Sequence, residues 1–316
     1  MCALPSRTAD RRTTLLALAS ATALVVIGAA CSSSSSDSGD ASSRIRVVAA
    51  ENFWGSIAEQ LGGDKVDTTS IIDNPDADPH DYEPTAADAR TVADARYVIV
   101  NGAGYDAWAP KLLAANPVEG RTVLTVGDLV GVGEGGNPHL WYSPEYVHRV
   151  IDRVTADYKK LAPDDAAYFD KRKQTFEDRT LARYNELISE IGKTYGGTPI
   201  GASESIVPPL AEGLGLKVLT PESFLDAISE GADPTARDKA AVDRQIKNKE
   251  IKIFVYNSQN STPDVQAQVK AAKAAGIPVA TVTETPVPAD ASFQDWQVSQ
   301  LQDIARALAE GTGSGR

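Results

Sequence analysis

The sequence predicts an α/β protein with two lobes, each built on a parallel sheet, joined by one long rigid helix. In both halves, short apolar runs alternate with amphipathic stretches, as in parallel β-α units. Between them, apolar residues recur at three- and four-residue spacing from Phe169 to Tyr195. A helix of about 30 residues would span roughly 45 Å, enough to run between two lobes.

The first lobe is predicted to occupy residues 45–142. Its strands are expected at 45–49, 66–72, 97–101 and 122–126, and its helices at 53–61, after an N-cap at Thr85, and at 107–115. A loop rich in Pro and Asp, residues 73–84, follows the second strand. Strands that alternate with helices in this way imply parallel β-α units.

A helical segment at 143–197 and a second lobe at 198–316 complete the predicted organisation. Ser143 and Pro144 form a favourable helix start, with Ser as N-cap and Pro at the first helical position. Strands are expected at 198–202, 217–219, 251–256 and 278–282, and helices at 207–212, 263–275 and 293–309. Ligands in such folds bind beyond the carboxyl ends of the strands, so the cleft between the lobes is the expected site.

The amino-terminal residues 1–30 are typical of a secretory signal peptide. Arginines precede an apolar run that is too short for a comfortable membrane span and that ends at Cys31. The small residues before Cys31 resemble a lipobox, with Gly28 where Leu is preferred, and predict a diacylated cysteine. The pair Arg11-Arg12 leaves twin-arginine export open beside the general secretory route. The alternative to a cleaved signal peptide is an uncleaved amino-terminal anchor helix.

Residues 31–44 are predicted to form a lipidated flexible tether. Ser, Gly and Asp dominate this stretch, which therefore cannot bury a core. We expect an extracytoplasmic domain, lipid-anchored to the cell membrane and in contact with the membrane through that anchor only.

Charge and cysteine content exclude several classes of function. The 31 basic and 43 acidic residues give a net charge of −12, and removing residues 1–30, with three Arg and one Asp, leaves −14. This balance argues against nucleic-acid and anionic-lipid binding and mildly favours a cationic ligand. Cys2 and Cys31 are the two cysteines. Without the signal peptide, no internal disulfide and no thiolate nucleophile or ligand is expected.

Two of the three histidines are candidate metal ligands. His80 and His139 each follow a proline in a loop, and imidazole is a common neutral ligand for Zn, Mn, Fe and Cu. Spacing alone leaves ordinary surface histidines as an equal alternative. His148 lies inside the predicted helix after Pro144 and is interpreted as a helix-surface residue.

Two carboxylates lie at matching positions in the second half. Glu204 follows one predicted strand and Glu284 follows another, so both are expected at the carboxyl edge of the second sheet. Taken by itself, Glu204 would be interpreted as a favourable acid near a helix N-terminus, and Glu284 as an ordinary acid in a loop. Two candidates in each lobe, all near strand ends, favour one shared metal site.

These motifs resemble the cluster A-I metal-binding ABC-transporter solute-binding proteins, the zinc/manganese periplasmic lipoprotein family. The resemblance covers nearly all of the chain after the tether. It rests mainly on the stretch 78–84 around His80 and the stretch 137–141 around His139. Glu204 stands where manganese-type members have Glu and zinc importers have His, and Glu284 stands where the family usually has Asp, so Glu284 or a neighbour is the fourth ligand.

The resemblance implies a receptor that captures a divalent transition metal in the inter-lobe cleft and delivers it to an ABC importer. The metal is cargo, and an ABC permease and its ATPase are the implied partners; we expect a monomer. Two imidazoles and two carboxylates suit Mn or Zn, with Fe a further candidate. Neither a His run nor an acidic run lies between His80 and His139.

Three other functions compete with metal delivery. A metal hydrolase would need an open coordination position and a general base, and no G-x-S-x-G or H-E-x-x-H motif is present, so we expect no enzyme. A receptor for a larger ligand, such as a metal–siderophore complex, would need a broad cleft. An adhesin or metallochaperone role stays compatible with metal binding.

Overall fold

The computed structural model describes residues 44–75, 77, 82–260 and 262–314. Its first four strands are β1 (Ile45–Glu51), β2 (Val66–Ile72), β3 (Tyr97–Val100) and β4 (Thr122–Thr125). The helices between and after them are α1 (Asn52–Gly62), α2 (Ala86–Asp94), α3 (Trp108–Ala115) and α4 (Val126–Val130). The predicted signal peptide, Cys31 and His80 lie outside the described residues.

The four amino-terminal strands form one parallel sheet in the order β2-β1-β3-β4. β1 is central and pairs on both sides, with Val48 opposite Thr69 on β2 and opposite Val98 on β3. The strand is buried except at Arg46, because helices cover both faces of the sheet. The predicted parallel β-α arrangement is confirmed for this half.

The carboxyl-terminal sheet repeats this order with β5 (Pro199–Ala202), β6 (Lys217–Val218), β7 (Ile253–Asn257) and β8 (Val279–Val282). These strands are parallel in the order β6-β5-β7-β8. The helices of this half are α8 (Val207–Gly213), α9 (Glu222–Ser229), α10 (Ala236–Lys247), α11 (Pro263–Ala274) and α12 (Phe293–Thr312). The two-lobe fold class is therefore confirmed.

The connecting segment differs from one uninterrupted helix. It contains α5 (Pro144–Leu161), α6 (Ala166–Thr175) and α7 (Ala182–Tyr195), with a π-helical turn at Phe176–Thr180 between α6 and α7. α5 begins as predicted, since the Ser143 hydroxyl accepts the Tyr146 amide at 3.5 Å. The lobe boundaries at 45–142, 143–197 and 198–316 stay predictions.

Aromatic rings fill the junction between the two sheets. Phe53 on α1 stacks on Trp141 with ring centroids 4.1 Å apart, and Phe53 also lies 6.3 Å from Trp296 on α12. In the same junction, the side-chain amides of Gln60 and Gln294 donate to each other, each over 3.0 Å. α1 thus packs against the carboxyl-terminal half, and the carboxyl edges of both sheets end beside this shared core.

No helix in the described part of the chain is both long enough and apolar enough to cross a membrane.

Candidate metal centre

His139 lies just before a 3₁₀ turn, Leu140–Tyr142, and is 1% exposed. Its orientation is set by Asn137, whose amide nitrogen donates to the Ser205 carbonyl at 2.6 Å. The Asn137 carbonyl oxygen therefore faces His139, where it accepts the backbone N–H at 3.0 Å and lies 2.9 Å from ring Nδ1. Because a carbonyl only accepts, Nδ1 carries a proton and Nε2 is left for a ligand.

His139 Nε2 faces Glu284 across the junction of the lobes. It lies 3.1 Å from Oε1 of Glu284, and the Tyr105 hydroxyl donates to the same oxygen at 3.0 Å. The Glu284 side chain is only 14% exposed. In the neutral ring, the Nε2 lone pair would point at a carboxylate, and a cation between the two groups would satisfy both.

Glu204 follows β5 and is 2% exposed. Its oxygens accept from two amides, Asn257 Nδ2 at 2.5 Å and Asn260 Nδ2 at 2.6 Å. Burial, followed by the nearby negative charge of Glu284, raises the pKa of Glu204 from 4.5 to about 7. Burial thus favours the neutral form of this carboxyl, and a bound cation would favour its ionised form.

Sequence reasoning missed Asn257, which links the two carboxylates. It ends β7 and is 2% exposed, and besides Glu204 its Nδ2 donates to Oε2 of Glu284 at 3.1 Å. Like Glu204, Asn257 lies at the carboxyl edge of the sheet, because it is the last residue of a buried strand. An amide is a weaker candidate ligand than an imidazole or a carboxylate, so Asn257 does not stand out in the sequence.

Residues from the amino-terminal sheet support the loop that carries His139. Asn101, directly after β3, accepts from Trp54 Nε1 at 3.0 Å and donates to the carbonyl of Pro138 at 2.8 Å. Asp106 accepts the backbone N–H groups of Asn101 at 2.7 Å and Gly102 at 2.9 Å. The loop is therefore fixed by buried hydrogen bonds on both sides, which preorganises His139.

Glu51, the last residue of β1, is a second buried acid at this edge. Burial, together with the carboxylate of Asp106, raises the pKa of Glu51 well above its ordinary value and favours its neutral form. Burial also raises the pKa of Asp106, although the backbone N–H groups that it accepts oppose this effect. A neutral Glu51 beside a charged Asp106 avoids repulsion between two buried anions.

The structure brings together three of the four predicted ligands, His139, Glu204 and Glu284. His80 lies outside the described residues. Within those residues, no three His, Cys, Asp or Glu side chains converge tightly enough to hold an ion by themselves. A bound ion would thus need Glu204 to turn partly away from its amide partners, or a further ligand.

A cavity of about 710 Å³ adjoins this centre. Asn137 and Ser205 line it, and both also contact His139. Its lining also includes three acidic residues, Glu222, Asp226 and Glu230. Burial, then the charges of Glu222 and Glu230, raise the pKa of Asp226. Acidic walls around a recess attract cations and repel anions.

His148 lies on α5, away from this centre. Its Nε2 is 3.4 Å from Asn185 Oδ1, its Nδ1 is 4.0 Å from Glu177, and its side chain is 40% exposed. It is a partly exposed helix residue, as its position in the sequence indicated.

Residues 47–307 match the family model described as zinc-uptake complex component A, periplasmic. The chain belongs to this family. The match spans both sheets and the helices between them, so the zinc-uptake component A family accounts for nearly all of the described structure.

Curated relatives within this family are distant. The zinc-binding lipoprotein AdcA of Streptococcus pneumoniae (strain ATCC BAA-255 / R6) is 25% identical over 307 residues, 86% of this chain and 56% of AdcA. The metal ABC transporter substrate-binding lipoprotein SsaB of Streptococcus sanguinis is 27% identical over 70% of this chain and 75% of SsaB. The chain spans little more than half the length of AdcA.

Solved structures of periplasmic metal-binding proteins share the fold. A manganese-bound mutant of the periplasmic metal binding protein from candidatus liberibacter asiaticus has a TM-score of 0.71 and 21% identity, covering 84% of this chain and 100% of that chain. The protein FpvC from pseudomonas aeruginosa, in complex with Mn2+, has a TM-score of 0.68 and 18% identity, over 84% of this chain and 99% of that chain.

Proposed function

We propose that this chain captures a divalent transition metal ion, zinc or manganese, between its lobes and delivers it to an ABC importer. Iron(II) is a further candidate cargo. The ligands are His139, Glu204 and Glu284 from the buried centre, together with His80. No catalytic role is proposed, because the family is one of transport components.

One observation carries this proposal. His139 Nε2, which is buried, and Glu284 Oε1, whose side chain is 14% exposed, lie 3.1 Å apart on opposite sides of the junction between the lobes. With Nδ1 committed to Asn137, Nε2 presents its lone pair toward an anion. A divalent cation between them would satisfy both groups, and zinc and manganese each accept imidazole and carboxylate ligands.

The cellular setting follows from the family and the amino-terminal sequence. We infer an extracytoplasmic protein held at the cell membrane by a lipid on Cys31, with residues 31–44 as a tether. Its partners would be a membrane permease and a cytoplasmic ATPase. The acidic cavity beside the centre supports a cationic cargo, since it would raise the local concentration of metal ions.

The test is metal analysis of the purified chain by plasma mass spectrometry, paired with melting curves in Zn, Mn and Fe(II). We expect one tightly bound equivalent and a large rise in melting temperature. His139→Ala should raise the dissociation constant by at least about 100-fold, since even residues behind a metal ligand contribute 10- to 100-fold.

His148→Ala is the matched control, because it removes a histidine from a helix surface away from the centre. It should leave metal affinity unchanged. If wild type binds none of the three ions, or if His139→Ala binds as tightly as His148→Ala, the proposed function is wrong.

A further inference from the structure

A buried carboxyl group at the end of β1 lacks a hydrogen-bond donor. Glu51 is fully buried, and in the described part of the chain neither of its oxygens accepts a hydrogen bond from another residue. Ile72, opposite it on β2, is apolar, and Asp106 is the charged residue that acts on it. An ionised Glu51 would therefore be a buried anion with no donor to stabilise it, which is costly.

Asp106 is also buried, but it is well supplied with donors. Its two oxygens accept the backbone N–H groups of Asn101 at 2.7 Å and Gly102 at 2.9 Å, and such donors favour an ionised carboxyl group. The side chains of Glu51 and Asp106 lie within hydrogen-bonding reach of each other. One proton on Glu51 therefore turns it from a repelled anion into a donor to a charged acceptor. Burial, and then the charge of Asp106, raise the pKa of Glu51, in agreement with this assignment.

The carboxylate of Asp106 closes a strained loop, residues 101–106. Gly102, Ala103 and Gly104 all have left-handed backbone angles, with φ of 74°, 53° and 85°. Glycine adopts such angles readily, whereas the Cβ of Ala103 crowds the backbone there. The loop therefore depends on hydrogen bonds that hold it in place, and one of these is the bond from the Gly102 N–H to Asp106.

Loop 101–106 also carries a contact between the lobes. The hydroxyl of Tyr105 donates to Oε1 of Glu284 at 3.0 Å. The backbone N–H of Tyr105 donates to the Gly102 carbonyl at 3.0 Å, so the position of the tyrosine depends on the same turn that Asp106 closes. A change at Glu51 can thus reach the junction between the lobes through Asp106 and Tyr105.

We propose that Glu51 is a positioning residue that keeps its proton, donates it in a hydrogen bond to Asp106, and so holds loop 101–106 in the conformation from which Tyr105 reaches the other lobe. This inference goes beyond the proposed function, because it concerns the protein without a bound ion. Its test uses the metal-free chain in chelator, and none of its outcomes decides whether the chain binds metal.

Infrared difference spectra at pH 6 test the proton. A protonated carboxyl group has a C=O stretch that is well separated from the bands of a carboxylate. We expect the spectrum of wild type minus that of Glu51→Gln to show this band. Glu59→Gln is the matched control, because Glu59 is an exposed acid on the adjoining helix α1 and its loss should remove no such band.

Hydrogen exchange of the Gly102 amide, followed by NMR, tests the positioning. Glu51→Gln retains a donor to Asp106 and should keep the wild-type protection factor. Glu51→Met has a similar length and no donor. We expect it to lower the protection factor about tenfold, the equivalent of one hydrogen bond to a charged group. A role in filling space alone predicts equal protection in the two variants.

A double-mutant cycle tests the connection to the other lobe. Tyr105→Phe should lower the urea midpoint of Glu51→Gln as much as that of wild type. In Glu51→Met the same substitution should have little effect, because the tyrosine is no longer held within reach of Glu284. Residues that act through one another show this kind of non-additivity.

Absence of the carboxylic band from the wild-type minus Glu51→Gln spectrum would overturn the inference. Equal protection of Gly102 in Glu51→Gln and Glu51→Met would overturn it too, as would equal effects of Tyr105→Phe in these two backgrounds. If Glu51→Met folds poorly, Glu51→Leu replaces it, and the infrared measurement depends on neither variant.

Discussion

Replacing Glu204 by Gln tests the electrostatics of the buried centre in the metal-free protein. The pKa of Glu204 is raised from 4.5 to about 7 in the folded chain. A raised pKa means that the folded state holds the proton more tightly than the unfolded state does. The resulting contribution to stability is fully present below pH 4.5 and is lost as the pH rises through about 7.

The size of this effect follows from the shift. A rise of the Glu204 pKa from 4.5 to about 7, at 1.36 kcal/mol per pKa unit, corresponds to at most about 3 kcal/mol of unfolding free energy. Gln carries no charge at any pH, but its Nε2 would face one of the two amide donors, Asn257 Nδ2 or Asn260 Nδ2, which adds a cost of about 1–3 kcal/mol that does not depend on pH. The free energy of unfolding of metal-free Glu204→Gln, taken relative to that of wild type, should therefore rise by up to about 3 kcal/mol between pH 5 and pH 8.

The assay is urea unfolding of the metal-free chain in chelator at pH 5, 6, 7 and 8. The exposed Glu212, on the following helix, supplies the control substitution Glu212→Gln, which should follow wild type at every pH. Buried Glu51 and Asp106 remain in all three proteins, so the difference between variants isolates Glu204. Parallel pH profiles for wild type and Glu204→Gln would refute this account of the centre.

Two further substitutions test the supporting structure. Tyr105→Phe removes the hydroxyl that donates to Glu284 but keeps the ring against Trp141. It should therefore lower the free energy of unfolding, measured in urea, by about 1 kcal/mol. An unchanged urea midpoint would contradict a hydrogen bond across the lobes. Thr85→Ala breaks the capping box that Thr85 forms with Asp88 and should also lower the free energy of unfolding by about 1 kcal/mol. Thr85→Ser keeps the capping hydroxyl and should retain most of the stability. Equal losses of stability in the two variants would contradict the cap.

The central strands β1 and β3 could be predicted because they are short apolar runs and are almost fully buried, whereas the edge strands β2 and β4 are only partly buried. α9 and α10 were not predicted. α10, Ala236–Lys247, has few apolar residues and depends on its context: Thr235 caps it and its side chain donates to Asp238. The break after α6 was also not predicted, since the apolar spacing continues through it without a Pro or Gly to mark it.

The candidate site could be predicted only where its residues directly follow predicted strands, because ligands bind beyond the carboxyl ends of parallel strands. Glu204 and Glu284 were found because each acid follows a strand, and His139 because it follows a proline in a loop. Asn257 and Tyr105 were not found, because their importance depends on contacts with Glu284 from distant parts of the chain. Such partners are set by how the lobes pack, which one sequence does not reveal.

The π-helical turn at Phe176–Thr180 determines how α7 is rotated about its axis relative to α6. These two helices pack against different lobes. On its amino-terminal side, α6 packs toward α1, where Arg172 binds the Gln60 carbonyl. On its carboxyl-terminal side, Tyr184 packs against Phe293 of α12. Removing one residue from the turn would rotate every side chain of α7 by about 100° relative to α6. The length of this turn is thus a rotational constraint, and along this stretch of chain a deletion is far more disruptive than a substitution.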